Sequence, residues 1–434
     1  MRLRSASLAK TITAETMRDR TVWLLGAGPW LWRSQAARLL VGLGLGVLFG
    51  WALPAHTDWL AFLTTGFLSL LKLLAYPLIL LSVLHGVRAI GPAAQLRRFG
   101  CWALLCSETL SLASLACGAG AAWLLGTGTR LQGMLGPTAA TGFSLRLPAF
   151  TLHPFLITLL LAIVAGLVLR ARPLPRWDPL LERSRASLLR ALRGLVLLAP
   201  LPAFASAAGL TAAYGHRIWL GLADVLAGLY LASGAYIVLV LGALCLACGT
   251  SLARVIGQLK EELMLVVSTS ASVSAMTGVA AWLEGQGCRP RAVRLLVPLN
   301  FSFGLNGSVI YLGFCLVVLV QASGLTLSAG DYLGLLALAA LTSKGACGVA
   351  GSAYVVLGLT LSAIPGIPPD GFMLLFGIER LMKCRLLTNL LGVAVGCLAV
   401  CSWSGQRVVA GTAGAREDAG LASSPVATAS LRIR

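Results

Sequence analysis

Residues 342–352, TSKGACGVAGS, interrupt the apolar C-terminal third of the chain with glycines, hydroxyls and a lysine. A second interruption, STSASVS, covers residues 268–274 and carries five hydroxyl groups. Backbone that leaves a helix inside a membrane has to be buried in protein or line a cavity, because each unpaired N–H or C=O group costs several kcal/mol in hydrocarbon. The two interruptions therefore predict broken membrane helices around an internal binding cavity.

The apolar segments are long and numerous. Charged residues make up 11% of the 434 residues, whereas soluble domains average about 25%. Eight segments have the roughly 20 residues that cross a bilayer, and helical hairpins at 254–287 and 332–366 hold the interruptions. The expected fold class is an all-α polytopic membrane protein. The eight segments are 36–54, 59–90, 99–125, 148–170, 188–213, 218–248, 291–321 and 368–400.

The C-terminal half also contains an internal similarity. Residues 254–321 and 332–400 each form the pattern of a hairpin followed by a helix with a polar break. If the two units enter the membrane from opposite sides, they are inverted repeats, which is a common plan of membrane transporters.

The formal charge of +19 comes mainly from arginines between the apolar segments. With a cytoplasmic N-terminus, the basic link at 170–193 and the arginines at 88–98 and 289–294 all lie on the cytoplasmic side, as the positive-inside rule requires. We therefore expect both termini in the cytoplasm. Basic and aromatic residues are not interleaved, so a nucleic-acid partner is not expected.

The sequence offers no motif of an enzyme or a metal site. Its four histidines are scattered, and it has no nucleophile–base pair, Walker sequence or zinc motif. All 11 cysteines fall at or after Cys101. We interpret them, including the pair Cys245 and Cys248, as small packing residues rather than disulfides. No cofactor is expected.

Three glycines repeat every four residues in the first segment, at Gly42, Gly46 and Gly50. Small residues at this spacing form one helix face and let another helix approach closely. The pattern predicts a tight helix–helix contact along this face.

The eighth segment carries the strongest candidate binding residues. Arg385 and Asn389 are four apart, so they share a helix face. An arginine at membrane depth usually faces a cavity, where it can bind a carboxylate through two parallel hydrogen bonds. The alternative is that Arg385 snorkels at a helix end. Glu379 and Lys383 have the same spacing and are predicted to pair with each other.

The seventh segment contains a polar, glycine-containing stretch at residues 300–308. Unwinding there would free backbone carbonyls, which together with Asn300, Ser302 and Asn306 could form a cation site. The alternative is a glycine kink with asparagines that are satisfied elsewhere.

Other charged residues have two interpretations. Glu108 and Asp224 are isolated acids in apolar segments, and each is either a proton relay or the acceptor of an interhelical hydrogen bond. Lys344 is expected near an aqueous mouth. Hydroxyls and backbone N–H groups at the hairpin tips suit an anion, because half-helix N-termini carry partial positive charge.

Four stretches together resemble the dicarboxylate/amino acid:cation symporter family, and most closely its bacterial aerobic C4-dicarboxylate branch. They are residues 70–78 (LLKLLAYPL), 302–311 (SFGLNGSVIY), 342–352 and the Arg385/Asn389 helix. The resemblance covers residues 36–400 in unbroken order.

The resemblance implies eight transmembrane helices, two re-entrant hairpins and a homotrimer in a bacterial inner membrane. It also implies an elevator motion, in which a transport domain slides past a trimerisation scaffold. The predicted organisation is a basic cytoplasmic arm (1–35), helices 1–6 with the scaffold and part of the transport domain (36–253), the transport core (254–400) and a disordered cytoplasmic tail (401–434).

The resemblance also assigns residues. It implies Met382 at the position where amino-acid carriers have an aspartate for the substrate ammonium, which favours a dicarboxylate without an amino group. The cation positions that remain are Asn300, Ser302, Asn306 and Asn389. Substrate contacts are implied at Ser272, Ser308, Val349, Ser352, Ala353, Arg385 and Asn389.

This chain departs from the family at the cation positions. The family signature Asn-x-Asp-Gly-Thr is replaced by Gly304-Leu305-Asn306-Gly307-Ser308, and Val393 stands where the family has Asp or Asn. Arg385, the hairpin tips and the intact segment order still lead us to expect a carrier of succinate, fumarate or malate coupled to a cation, Na⁺ or H⁺. Two alternatives are an uncoupled or proton-linked carrier of another organic anion, and a non-transporting receptor or partner subunit.

Overall fold

The computed structural model describes residues 35–89, 94–133, 154–171, 178–325, 327–345, 352–362, 375, 378–379 and 381–405. Helices form the framework throughout these ranges. The predicted basic arm and most of the predicted tail lie outside them. The last helix continues to Trp403, three residues into the segment predicted as tail.

The N-terminal half begins with helices that match the first four apolar segments. A long helix near its end passes through a π-helical turn at Tyr236–Leu241 and continues to Ala247. The helices are α1 Gln35–Ala52, α2 Ala61–Ala89, α3 Ala94–Leu125, α4 Pro154–Ala171, α5 Asp178–Leu197, α6 Pro200–Tyr214 and α7 Arg217–Ala235.

The fifth predicted segment, 188–213, is divided between two helices. The arginine-rich link before it is itself helical from Asp178, because leucine, arginine and alanine favour helix. Pro200 has no N–H to donate and starts a new helix, so α5 and α6 are separate.

The C-terminal half consists of shorter, interrupted helices. They are α8 Leu252–Gln258, α9 Lys260–Thr269, α10 Met276–Gly285, α11 Pro290–Phe303, α12 Asn306–Ala322, α13 Ala329–Thr342, α14 Ser352–Ser362 and α15 Cys384–Trp403.

Within the described ranges, four helical stretches are long and apolar enough to cross a membrane, and a bent pair over residues 37–67 would make a fifth. Two of the four are largely buried inside the protein, with 94% of an 18-residue window buried in Pro290–Ala322 and 83% in Cys384–Trp403. In Trp102–Leu125 and Arg217–Ala247 the buried share of such a window is only 44% and 39%. Helices α12 and α15 therefore form the centre, and α3 and α7 present apolar side chains outward, as a lipid-facing surface requires.

The glycine face of α1 packs directly on α6. A Cβ at Gly42 would lie 2.7 Å from the carbonyl oxygen of Pro200, and a Cβ at Gly46 or Gly50 would overlap the carbonyl oxygens of Phe204 and Ala208. The tight contact predicted from the four-residue spacing is confirmed.

The first interruption is the turn of a helical hairpin, which we call hairpin 1 (residues 254–287). Its arms run antiparallel, because Trp282 Nε1 donates to Gln258 Oε1 at 2.9 Å and Gly278 lies against Glu262. At the tip, Ser270 has a φ of 55°, a left-handed conformation that ends α9.

The second interruption lies between α13 and α14, and we call these two helices together with the segment between them hairpin 2. The Thr360 hydroxyl donates to the Thr342 hydroxyl at 2.8 Å, so the two arms lie side by side. The tip at 346–351 falls outside the described residues.

Candidate ligand-binding site

The polar stretch of the seventh segment unwinds as predicted. Helix α11 ends at Phe303 and α12 begins at Asn306, with Gly304 and Leu305 between them outside the helices. The Gly304 N–H donates to the Asn300 carbonyl at 2.7 Å, and the Asn306 N–H donates to the Gly304 carbonyl at 3.0 Å. The break places the first turn of α12 deep inside the protein.

Three polar residues from three elements meet at this turn. Asn389 Nδ2 of α15 donates to Ser308 Oγ at 3.0 Å and to Ser272 Oγ at 3.4 Å, at the tip of hairpin 1. The Ser308 N–H in turn donates to Asn389 Oδ1 at 2.9 Å. All three residues are buried. The hydrogen bonds thus join α12, α15 and hairpin 1 at one polar point.

Arg385 lies one helical turn before Asn389 and is 4% exposed. Its Nη2 donates to Glu379 Oε1 at 2.8 Å, and its guanidinium carbon lies 5.0 Å from the centre of the Tyr311 ring. Its Nε and Nη1 have no hydrogen-bond partner among the described residues. Burying a donor unpaired is costly, so Arg385 is suited to receive an acceptor from a ligand.

Glu379 and Lys383, predicted to pair with each other, make their described polar contacts with other residues. Residues 381–383 lie outside α15 in a turn, so the four-residue helical spacing does not apply to these two side chains. Glu379 pairs with Arg385 instead. The Lys383 ammonium reaches across to hairpin 1, where it donates to Ser270 Oγ and, at 3.4 Å, to the Val267 carbonyl.

Two glycines allow α12 and α15 to approach each other at the site. A Cβ at Gly307 would overlap the Arg385 carbonyl oxygen and lie 2.9 Å from Thr388 Cβ. A Cβ at Gly392 would lie 2.5 Å from Asn306 Nδ2. The position of Arg385 therefore depends on the absence of side chains at these glycines.

The predicted contributors from hairpin 2 are placed only in part. Ser352 and Ala353 are buried at the start of α14, which packs against α12. Val349 lies outside the described residues. Lys344, expected near an aqueous mouth, is largely buried and pairs with the half-exposed Glu108 at 2.8 Å.

The two isolated acids both have partners on other elements. Glu108 of α3 pairs with Lys344, and Asp224 of α7 pairs with Arg130. These ion pairs agree with the interhelical interpretation of both acids.

The candidate cation ligands are mostly engaged elsewhere. Asn300 Oδ1 accepts from the Ser107 hydroxyl at 2.8 Å, and Ser302 Oγ donates to the Pro298 carbonyl at 3.0 Å. Asn306 Oδ1 is buried and has no partner among the described residues. Val393 is fully buried, but its side chain has no oxygen that could bind a cation. Within the described ranges, no three His, Cys, Asp or Glu side chains cluster as metal ligands.

Sequence reasoning missed two features of this site: the place of Tyr311 and the pairing of Glu379 with Arg385. Tyr311 could have been found, because it follows Ser308 by three positions and so lies on the same face of α12. The Glu379–Arg385 pair could not be found by spacing, since it spans a non-helical turn.

Comparisons with known proteins identify related chains. The sodium:dicarboxylate symporter family matches residues 36–403. A "C4-dicarboxylate transport protein" of Sphingopyxis alaskensis is 31% identical over 92% of this chain and 95% of its own length. Proteins of the same name from Bordetella avium (32% identical; 85% and 88%) and, numbered 1, from Bradyrhizobium sp. strain ORS 278 (31%; 86% and 91%) are similar. The family and these relatives are transporters, not enzymes.

Proposed function

The chain belongs to the sodium:dicarboxylate symporter family, and on that basis we propose that it is a secondary active carrier. Its cargo is a C4-dicarboxylate such as succinate, fumarate or malate, taken up together with a cation. The observation that carries the proposal is the buried guanidinium of Arg385, with its two unpaired nitrogens.

Arg385 is the group that receives the first carboxylate. A carboxylate that binds a guanidinium through two parallel bonds uses Nη2 together with Nε or Nη1, and both of the latter are unpaired among the described residues. The Tyr311 ring, 5.0 Å from the guanidinium carbon, orients the guanidinium, and Glu379 is its ion-pair partner in the empty site. The site is buried, so a bound carboxylate would be attracted more strongly than in water.

The polar point formed by Ser272, Ser308 and Asn389 receives the second carboxylate. Hydroxyl and amide groups there are already brought together by hydrogen bonds of 3.0–3.4 Å. Met382 is 1% exposed and offers no counter-charge to an ammonium group. A buried ammonium without a partner is unfavourable, so a dicarboxylate without an amino group is the cargo.

The proposal extends to the membrane architecture expected from the sequence. Eight helices span the membrane, the two hairpins are re-entrant, and the C-terminal half is built from inverted repeats. The carrier works as a homotrimer with cytoplasmic termini in a bacterial inner membrane. Hairpin 2 closes over the bound anion, with Ser352, Ala353 and Val349 near its tip, and the transport domain then moves inward as an elevator.

The coupling ion is Na⁺ or H⁺. Sodium prefers several oxygen ligands, including carboxylates, as other hard cations do. Here Asn306 supplies a neutral oxygen, and Gly304 and Val393 supply none from their side chains. Because these oxygen ligands are lost, a carrier coupled to protons is the second candidate function.

Uptake of labelled succinate into proteoliposomes tests the proposal, with an inward sodium gradient, an inward proton gradient or neither. We expect gradient-driven accumulation by the wild type and none by Arg385→Ala. Arg130→Ala, which removes an exposed arginine from the pair with Asp224, is the matched control and should transport normally. Equal uptake by Arg385→Ala and the wild type would refute the role of Arg385.

A further inference from the structure

Glu379 stands apart from the other acids of the chain. Among the acidic residues whose burial the structure describes, it alone is buried, at 4% exposed. Its partner Arg385 is equally buried, and no other cation appears among the described buried residues. A buried carboxylate and a buried guanidinium are stable as a pair but costly if either is left alone.

Among the described residues, further titratable groups near Glu379 lie on the helices packed against it. Tyr311 and Cys315 of α12 and Tyr354 of α14 lie within electrostatic reach of its carboxylate. None of them carries a positive charge. Lys383, four residues along the chain, donates to the tip of hairpin 1. Among these groups, Arg385 is the cation that forms an ion pair with Glu379, at 2.8 Å.

Binding of a dicarboxylate changes the charge around the Glu379–Arg385 pair. The pair is neutral without cargo, with one negative and one positive charge. A substrate carboxylate that forms two parallel bonds to Arg385 uses Nη2, the nitrogen that Glu379 Oε1 already holds. Two carboxylates would then share one guanidinium, and like charges this close favour protonation of one of them.

We propose that Glu379 is the site of the coupling proton. When the substrate binds, one proton from the outer solution adds to the Glu379 carboxylate. The ion pair between Glu379 and Arg385 then breaks, and Arg385 binds the substrate carboxylate. After inward movement, the substrate leaves, the proton returns to the cytoplasmic solution, and the Glu379–Arg385 pair re-forms. This inference rests on the proposed function and specifies its coupling ion and the residue that carries it.

The re-formed pair also explains how the empty carrier avoids an unpaired buried arginine. Glu379 takes the place of the substrate carboxylate in the return step, so the empty site crosses the membrane without net charge. The neutral oxygen of Asn306 and the apolar side chain of Val393 leave the sodium positions without an acid, which agrees with a proton as the coupling ion.

The first test uses the unmodified protein. Succinate is added in weakly buffered detergent solution at about pH 7.5, where both of its carboxylates are ionised. A pH indicator should report net uptake of about one proton per succinate bound, with binding measured by calorimetry. Succinate binding without proton uptake would overturn the inference. No binding of any C4-dicarboxylate would refute the proposed function itself, and the inference with it.

The second test compares Glu379→Gln with Asp224→Asn, which neutralises the carboxylate of an exposed ion pair. The apparent Kd of the wild type and of Asp224→Asn should rise about tenfold per pH unit between pH 7 and 8, as linkage to one proton requires. Glu379→Gln should bind with little pH dependence. It should exchange labelled for unlabelled succinate but lose accumulation driven by a proton gradient. Accumulation retained in Glu379→Gln would overturn the inference, and if that variant does not fold, the proton-uptake measurement decides.

Discussion

Gly307→Ala should disable the carrier although it adds only one methyl group. A Cβ at this position would overlap the Arg385 carbonyl oxygen and lie 2.9 Å from Thr388 Cβ, whereas carbon atoms in contact prefer about 3.5–4.0 Å. The shortfall is about 0.6–1.1 Å against Thr388 alone. Since the obstructing oxygen belongs to the backbone of α15, the helices have to move apart by about 1 Å.

The expected magnitudes follow from this displacement. Overpacking of this kind costs about 1–3 kcal/mol of stability, although Ala favours helix over Gly by about 1 kcal/mol. A shift of about 1 Å at a site that positions a ligand can cost about 100-fold in rate, and Arg385 is the residue displaced. We expect succinate uptake to fall by roughly this factor while the protein still folds.

The assay is succinate uptake in proteoliposomes, with the unfolding temperature measured in detergent. Gly44→Ala is the control, because Gly44 is also inside a helix and a Cβ there meets nothing within 4 Å. It should transport as well as the wild type and be at least as stable. Uptake by Gly307→Ala at the wild-type level would show that α12 and α15 are not held at the distance on which this reasoning depends.

Two further substitutions test the roles of individual side chains. Arg385→Lys keeps the charge but loses the two-bond fork, and should weaken succinate binding by about 1.5–3 kcal/mol; unchanged affinity in calorimetry would remove Arg385 from the site. Asn306→Asp places a carboxylate where a buried amide oxygen is unpaired among the described residues, so sodium should raise both its unfolding temperature and its succinate uptake. An equal response to sodium and potassium would mean that the changes at Gly304 and Val393 have also removed the sodium site.

Features with a local cause could be predicted from the sequence. The break at Gly304 and Leu305 follows from a glycine among polar residues in an apolar segment, and the α1–α6 contact follows from glycines on one helix face. The meeting of Ser272, Ser308 and Asn389 was implied by resemblance alone, because residues 117 and 81 positions apart in the chain share no local pattern.

Other features depended on where helices end. The sequence pattern continues through residues 378–385 without a clear stop signal, so Glu379 and Lys383 were paired by helical spacing. The chain instead turns at 381–383 before α15 begins at Cys384, and this turn separates the two residues. The continuous helix predicted for 188–213 was wrong because α5 ends at Leu197 and Pro200, which has no N–H to donate, begins α6.

The close contact between α1 and α6 has a genetic consequence. At Gly42, Gly46 and Gly50, the atom nearest to an added Cβ is a carbonyl oxygen of α6, and every amino acid carries a carbonyl. A second substitution on α6 therefore cannot create space for a larger residue on α1. In a suppressor screen, a damaging change at Gly46 should yield true revertants and no compensating mutations at Phe204.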